Sequence, residues 1–302
     1  MQLTLGPVLY YWAKEKLDAF YAAAAAAPVD RVYLGEAVCS RRHEYRQSDW
    51  LDAAERLADA GKEVVLSAQV LMDSESDLKA LRRYAANGRF LVEANDMGAV
   101  HVLGGEAAFV AGPHLNIYNA PTLAFIASLG AVRWVPPLEM PRASLAAILA
   151  EKPAGLSTEV FAYGRLPLAF SARCFTARHY NLPKDDCRFC CLDHPDGLPL
   201  AAHDGEPFLV LNGIQTQSFR VHNLAQSLPD MRSLGVDAVR LSPQAGRMDE
   251  VIAVFRAALD GRAGIDADAM LAPLMPAAAC NGYWYARPGL EFIPCPAGAT
   301  WS

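Results

Sequence analysis

Cys174, Cys187, Cys190 and Cys191 fall within eighteen residues, CFTARHYNLPKDDCRFCC, and a fifth thiol, Cys39, lies far upstream. The start of the chain, MQLTLGPVLYYWAKEKL, shows no basic leader and no small-residue cleavage site, so a reducing, cytoplasmic setting is expected. Thiols this dense in such a setting point to metal binding rather than to disulfides. Thiolate is the ligand that soft metals and iron–sulfur clusters select. Burial as free thiols is the plain alternative, since cysteine is often a core residue. Three cysteines within five positions argue against it, because their side chains cannot all face one apolar core. Spacing does not choose the metal. Cys187-x2-Cys190 has the zinc-knuckle gap, whereas Cys174-x12-Cys187-x3-Cys191 matches neither common ferredoxin pattern.

Groups able to move protons or hold a substrate are scattered more widely. Glu36, Glu93, Asn95 and Asp96 follow or end strand-like runs, and Glu159 lies inside one. For each carboxylate the plain reading is a helix cap or an ion pair with an arginine such as Arg41 or Arg173. His43, His114, His179 and His222 fall in or near loops, and no pair has the i, i+4 spacing of helical metal ligands. The catalytic candidates are therefore Glu36, Glu93 and His179, the last inside the Cys174–Cys187 loop. Peptidase activity is not expected: the chain has no H-E-x-x-H and no G-x-S-x-G motif.

These residues need a frame. Strand-like runs are read at 3–9, 31–34, 64–67, 90–93, 107–111, 132–135, 157–162 and 238–241, with amphipathic stretches between them. SDWLDAAERLADAG, from Ser48 to Gly61, offers Ser48 or Asp49 as a cap and Gly61 as a stop. The alternation predicts an α/β protein built as a single (β/α)8 TIM-type barrel, one domain over 1–302. An open doubly wound sheet lacks its G-x-G-x-x-G turn after the first strand. Between the seventh and eighth strands, at about 164–220, regularity gives way to a Cys-rich insertion with a further strand pair near 208–212 and 217–221. A tail follows from about 263, with Cys280 and Cys295. Cys39 follows the second strand and the insertion leaves after the seventh, so both are expected at the C-terminal rim of the barrel.

The chain has 302 residues, is 53% hydrophobic and carries a net charge of −6. Its one dense basic patch, RRHEYR at 41–46, is short, so nucleic-acid binding is not expected. No apolar run reaches the roughly 20 residues of a membrane span, so no membrane insertion is expected.

Several stretches carry a resemblance: FAYGRLPLAFSARC from Phe161 to Cys174 with Cys187 and Cys191 after it, LGE ending at Glu36, VEAND from Val92, and NGYW from Asn281. Together they resemble the collagenase-like peptidase family, in particular its short single-barrel members, over essentially the whole chain. That resemblance implies a 4Fe–4S cluster held by Cys39, Cys174, Cys187 and Cys191, with Cys190 a neighbour whose substitution for Cys191 stays open. It implies an iron–sulfur component of oxygen-independent hydroxylation of the ubiquinone ring, on a ubiquinone-precursor substrate and with prephenate as the implicated oxygen donor. The partners it implies are a paralogue, UbiU, in a heterodimer, and a lipid-binding accessory protein, UbiT. Two alternatives remain: a non-catalytic, cluster-bearing partner of UbiU, and an RNA-hydroxylating relative, which the acidic charge disfavours.

Overall fold

The computed structural model describes residues 1–262 and 265–294. The strands are, in chain order, β1 (Gln2–Leu5), β2 (Arg31–Leu34), β3 (Glu63–Ser67), β4 (Leu91–Ala94), β5 (Phe109–Ala111), β6 (Ala131–Trp134), β7 (Ser157–Phe170), β8 (Leu198–Ala201), β9 (Pro207–Asn212), β10 (Gln215–Asn223), β11 (Ala238–Leu241) and β12 (Ala279–Cys280). Strands β1 to β7 pair in order and in parallel, and β11 joins β7 to β1, which closes an eight-stranded parallel barrel. All eight strands read from the sequence are present. The first ends at Leu5 instead of Leu9, because Gly6 and Pro7 break it and proline has no N–H for the ladder.

Helices α1 (Lys14–Ala26), α2 (Gln47–Asp59), α3 (Glu75–Ala85), α4 (Met97–Leu103), α5 (Ala120–Ser128) and α6 (Arg142–Ala150) follow the first six strands. Their starts are local. Ser74, Asp96 and Asn119 accept N–H bonds at the heads of α3, α4 and α5. On α2 the cap is Asp49 alone, whose carboxylate takes the Arg46 N–H at 2.7 Å. The helices bury Leu57, Leu81, Leu103 and Leu123 against the outside of the barrel. Short α7 (Phe175–His179) follows β7, then α8 (Leu228–Ser233), α9 (Met248–Leu259) and α10 (Ala267–Leu271).

The inside of the barrel is charged. Tyr33, Val65, Val110 and Val135 form one buried apolar group. Glu159, fully buried, accepts from Thr4 Oγ1, Tyr33 OH, Arg31 Nη1 and Arg240 Nε at 2.7–3.0 Å. Arg240 also reaches Glu93 at 2.7 Å and stacks its guanidinium 3.9 Å from the Tyr33 ring centre. Arg31 and Arg133 meet Glu63 lower down. Three arginines thus face three glutamates. Burial pushes the Glu159 carboxyl up, but Arg240, Arg31 and Arg133 together hold it below the ordinary glutamate range.

β7 leads out of the barrel. Its first half pairs in parallel with β6 and β11, and its second half runs antiparallel to β10, which continues to β9 and β8. The segment between β7 and β11 carries Cys174, Cys187, Cys190 and Cys191. Cys295, like the rest of the tail beyond 294, lies outside the described residues.

Candidate functional site at the barrel rim

The turn after β2 is built to present Cys39. Gly35 sits at φ +141°, and a Cβ there would strike the Ser67 carbonyl. Glu36 then accepts the N–H groups of Val38 and Cys39, both at 3.0 Å, and Arg42 donates its backbone N–H to the Cys39 carbonyl at 3.0 Å. Burial raises the Glu36 carboxyl, with Arg42 pulling the other way. Arg42 is itself buried. Its guanidinium bonds the Leu9 carbonyl and Asn212 Oδ1, lies 3.5 Å from Glu36 and reaches Cys191.

Thiols from the β7–β11 segment come to this turn. Cys174 packs with Cys39 in one apolar cluster that includes Leu9, Ala37, Ile214 and Phe170. Cys191 lies within electrostatic reach of Cys39, Cys174 and Cys190, and Cys190 within reach of Cys174 and Cys187. Burial raises the Cys39 and Cys190 thiols and takes Cys191 to about 11, so each is a protonated, weak nucleophile at neutral pH in the absence of a metal. Cys39 and Cys187 are buried, while Cys174, Cys190 and Cys191 are half-buried. As the side chains stand, no three His, Cys, Asp or Glu groups among the described residues close on a point able to hold one ion. The thiols share a neighbourhood rather than a vertex.

Below the thiols lies the barrel mouth. A cavity of about 30 Å³ is walled by Leu9, Ala37, Glu93, Asn95, His114 and Arg240, among others. It adjoins an outer space of about 260 Å³ through the shared walls Val70, Pro113, His114, Leu138 and Pro167. Leu9 and Ala37 belong both to the inner cavity and to the cluster holding Cys39, so one apolar layer separates thiols from cavity. His114 packs edge-on to Phe170 at 5.0 Å, and burial with the nearby Arg240 charge lowers it to about 3, leaving a neutral ring.

The sequence candidates therefore divide. Cys39, Cys174, Cys187, Cys190 and Cys191 come together, with Glu36 at their edge. Glu93 lines the cavity but is tied to Arg240, Ser67 and Asn95. Asp96 caps α4, the plain reading of that residue. His179 is exposed on α7, its ring against Tyr180. Arg42 and Arg240 were not singled out for the site. A signal existed for Arg240: RVYL, AVRW and AVRL each place an arginine inside an apolar strand, where a charge requires a buried partner.

The chain matches the profile of peptidase family U32 over residues 14–287. It belongs to that family. Among solved structures, the U32 peptidase Mk0906 is 15% identical, with a TM-score of 0.45, over 82% of this chain and 94% of that one. A dihydrodipicolinate synthase from Agrobacterium tumefaciens is 11% identical, with a TM-score of 0.48, over 89% and 78%. An N-acetylneuraminate lyase from Aliivibrio salmonicida is 13% identical, with a TM-score of 0.36, over 89% and 77%. Among the described residues of this U32 chain, no helix is long and apolar enough to cross a membrane.

Proposed function

We propose that this U32 chain is a UbiV-type protein: the iron–sulfur component of oxygen-independent ubiquinone-ring hydroxylation, working with UbiU, and with UbiT as an accessory. One observation carries the reading. Thiols from two distant parts of the chain come near one another: Cys39 after β2 lies by Cys174 and Cys191 from beyond β7, Arg42 stands beside Cys39 and Cys191, and Cys190 links this group to Cys187. The donor set is all sulfur, which suits a 4Fe–4S cluster held by those four residues, with Cys190 beside them. Bound there, the cluster supplies one-electron transfer. Arg42 would offset the negative charge of the thiolates, and Leu9 and Ala37 would keep water from the side facing the cavity. The raised Cys39, Cys190 and Cys191 thiols and the missing hydrolase motifs speak against peptide hydrolysis by this chain.

Anaerobic purification tests the cofactor. About four iron and four sulfide per chain are expected, lost together in Cys39→Ala and Cys174→Ala. Zinc without sulfide would instead mark a structural knuckle. Deletion of the gene should abolish ubiquinone synthesis only when oxygen is absent; normal anaerobic synthesis in the deletion strain rules the pathway out.

A second reading has its own support. Glu36 is engaged by two backbone N–H groups, and Glu93 at the rim and Glu159 inside the barrel are locked in ion pairs, so these carboxylates are occupied by the fold. This favours a subunit that carries the cluster while UbiU binds the ring. Full activity of the complex with Glu36→Gln, together with loss of the complex in Cys174→Ala, would select it.

A further inference from the structure

The loop between Cys187 and Cys190 holds its backbone in a costly shape. Arg188 and Phe189 both lie in the left-handed region, at φ +51° and +53°. Residues with side chains rarely adopt that conformation, and two in succession persist only where the surroundings enforce them. Arg188 is not what enforces it: its side chain is exposed and has no hydrogen bond or ion pair among the described residues. Phe189 is anchored. Its ring is seated between Tyr11 and His43, with ring centres 5.9 and 5.7 Å away and the His43 contact edge-on. The seat is itself fixed, because Tyr11 OH accepts the His43 N–H at 3.1 Å and the Arg42 guanidinium lies 5.4 Å from the centre of the Tyr11 ring. Arg42 and His43 belong to the turn that presents Cys39. One aromatic side chain thus fastens the cysteine loop to that distant turn.

The two thiols after Phe189 are neighbours in sequence but face different groups. Cys191 lies within electrostatic reach of Tyr11, Arg42 and Cys39, whereas Cys190 lies within reach of Cys174, Cys187 and Asp193. A short helical turn runs from Cys190 to Asp193, and the Leu192 N–H returns to the Phe189 carbonyl at 2.9 Å. The directions of both thiols therefore follow from where Phe189 is held. Exchanging them requires lifting the ring from its seat.

We propose that Phe189 is a positioning residue that selects Cys191 over Cys190 as the fourth ligand of the proposed cluster. This rests on the iron–sulfur reading and adds to it the group that decides between two adjacent thiols. Phe189 donates nothing to a metal; it acts through the backbone, as supporting groups around a metal site orient the ligands.

Two measurements test the selection, one with metal and one without. After anaerobic reconstitution, Cys190→Ser should retain at least about tenfold more iron and sulfide per chain than Cys191→Ser. In a Phe189→Ala background the same two changes should give iron contents within about twofold of each other. Phe189→Tyr keeps a ring for the seat and should restore the preference. Arg188→Gly relaxes one left-handed residue, leaves the seat intact and should not alter it. In the metal-free chain, iodoacetamide labelling read by mass spectrometry should reach Cys190 faster than Cys191, which is held against the buried Arg42, and Phe189→Ala should bring the two rates together. Thermal melts report folding, and His43→Ala, at an exposed residue, opens the same seat if Phe189→Ala does not fold. A cluster that still depends on Cys191 alone in folded Phe189→Ala overturns the proposal, as does an unchanged labelling ratio there, or loss of the preference in Arg188→Gly. A wild-type chain without iron and sulfide overturns the iron–sulfur reading, and ligand selection falls with it. A loaded wild type that shows no preference between the two thiols sinks the selection alone.

Discussion

The barrel interior and the thiol-rich rim are both crowded with ionisable side chains, yet they are built in opposite ways. Inside, Glu159 has four hydrogen-bond donors, and each arginine has a carboxylate within 3.0 Å. At the rim, the cysteines have few polar partners; Cys174 Sγ accepts one long bond, 3.4 Å, from Ala177 N–H. Carboxylates held this way have finished their work when the chain folds, even though Arg31 Nε, Arg133 Nη1 and Arg240 Nη2 are left without a partner. Thiols with few polar partners remain free to take up a metal. By that measure the carboxylates hold the frame, and the thiols are the parts that the proposed cluster would use.

The sharpest way to break this contrast is to remove one interior charge. Glu159→Ala strands Arg31 and Arg240 in the barrel and should cost about 3–5 kcal/mol in denaturant unfolding. A loss below about 1 kcal/mol would show that the network is not structural. The next effect depends on pH. His222, buried on β10 where the extension meets β7, has a ring lowered to about 3 by burial. The unfolded chain, with a histidine near 6.5, binds the proton first, so stability is present above that value and is lost as pH falls from about 6.5 toward 3. By pH 5 the loss from this residue is about 2 kcal/mol, and His222→Phe should remove that portion of the acid destabilisation.

Smaller effects sharpen the distinction. Asp96→Ala deletes the α4 cap and should cost about 1 kcal/mol with bound iron unchanged, as befits a rim carboxylate that serves the fold. Cys190→Ser should change stability by less than about 0.5 kcal/mol and leave the iron content intact. Iron loss in that variant would exchange the roles of Cys190 and Cys191.

Much of the frame was legible because it is local. Each barrel strand is a short β-branched run flanked by turn residues, and the chain order of a parallel barrel leaves few other pairings. The outward course of β7 was not, because Gly164 and Pro167 read as a stop at 162. The strand passes them because its pairing with β10 is irregular there, with shifts of register between Thr216 and Val221. β8 was hidden for a similar reason: LPLA is an edge strand with a proline in it. At the site, the cysteines announce themselves by density, whereas Arg240 meets carboxylates 81 and 147 residues away, a separation that leaves no spacing to read.

The position of β11 has a consequence for biosynthesis. This strand seals the barrel between β7 and β1, and it is translated only after all five rim cysteines have been made. Folding during synthesis proceeds from the N-terminus, so a nascent chain halted before residue 238 holds those thiols beside an open sheet with two unsatisfied edges. Emergence of β11 from the ribosome, and not thiol chemistry, therefore sets the earliest moment at which a finished barrel can exist.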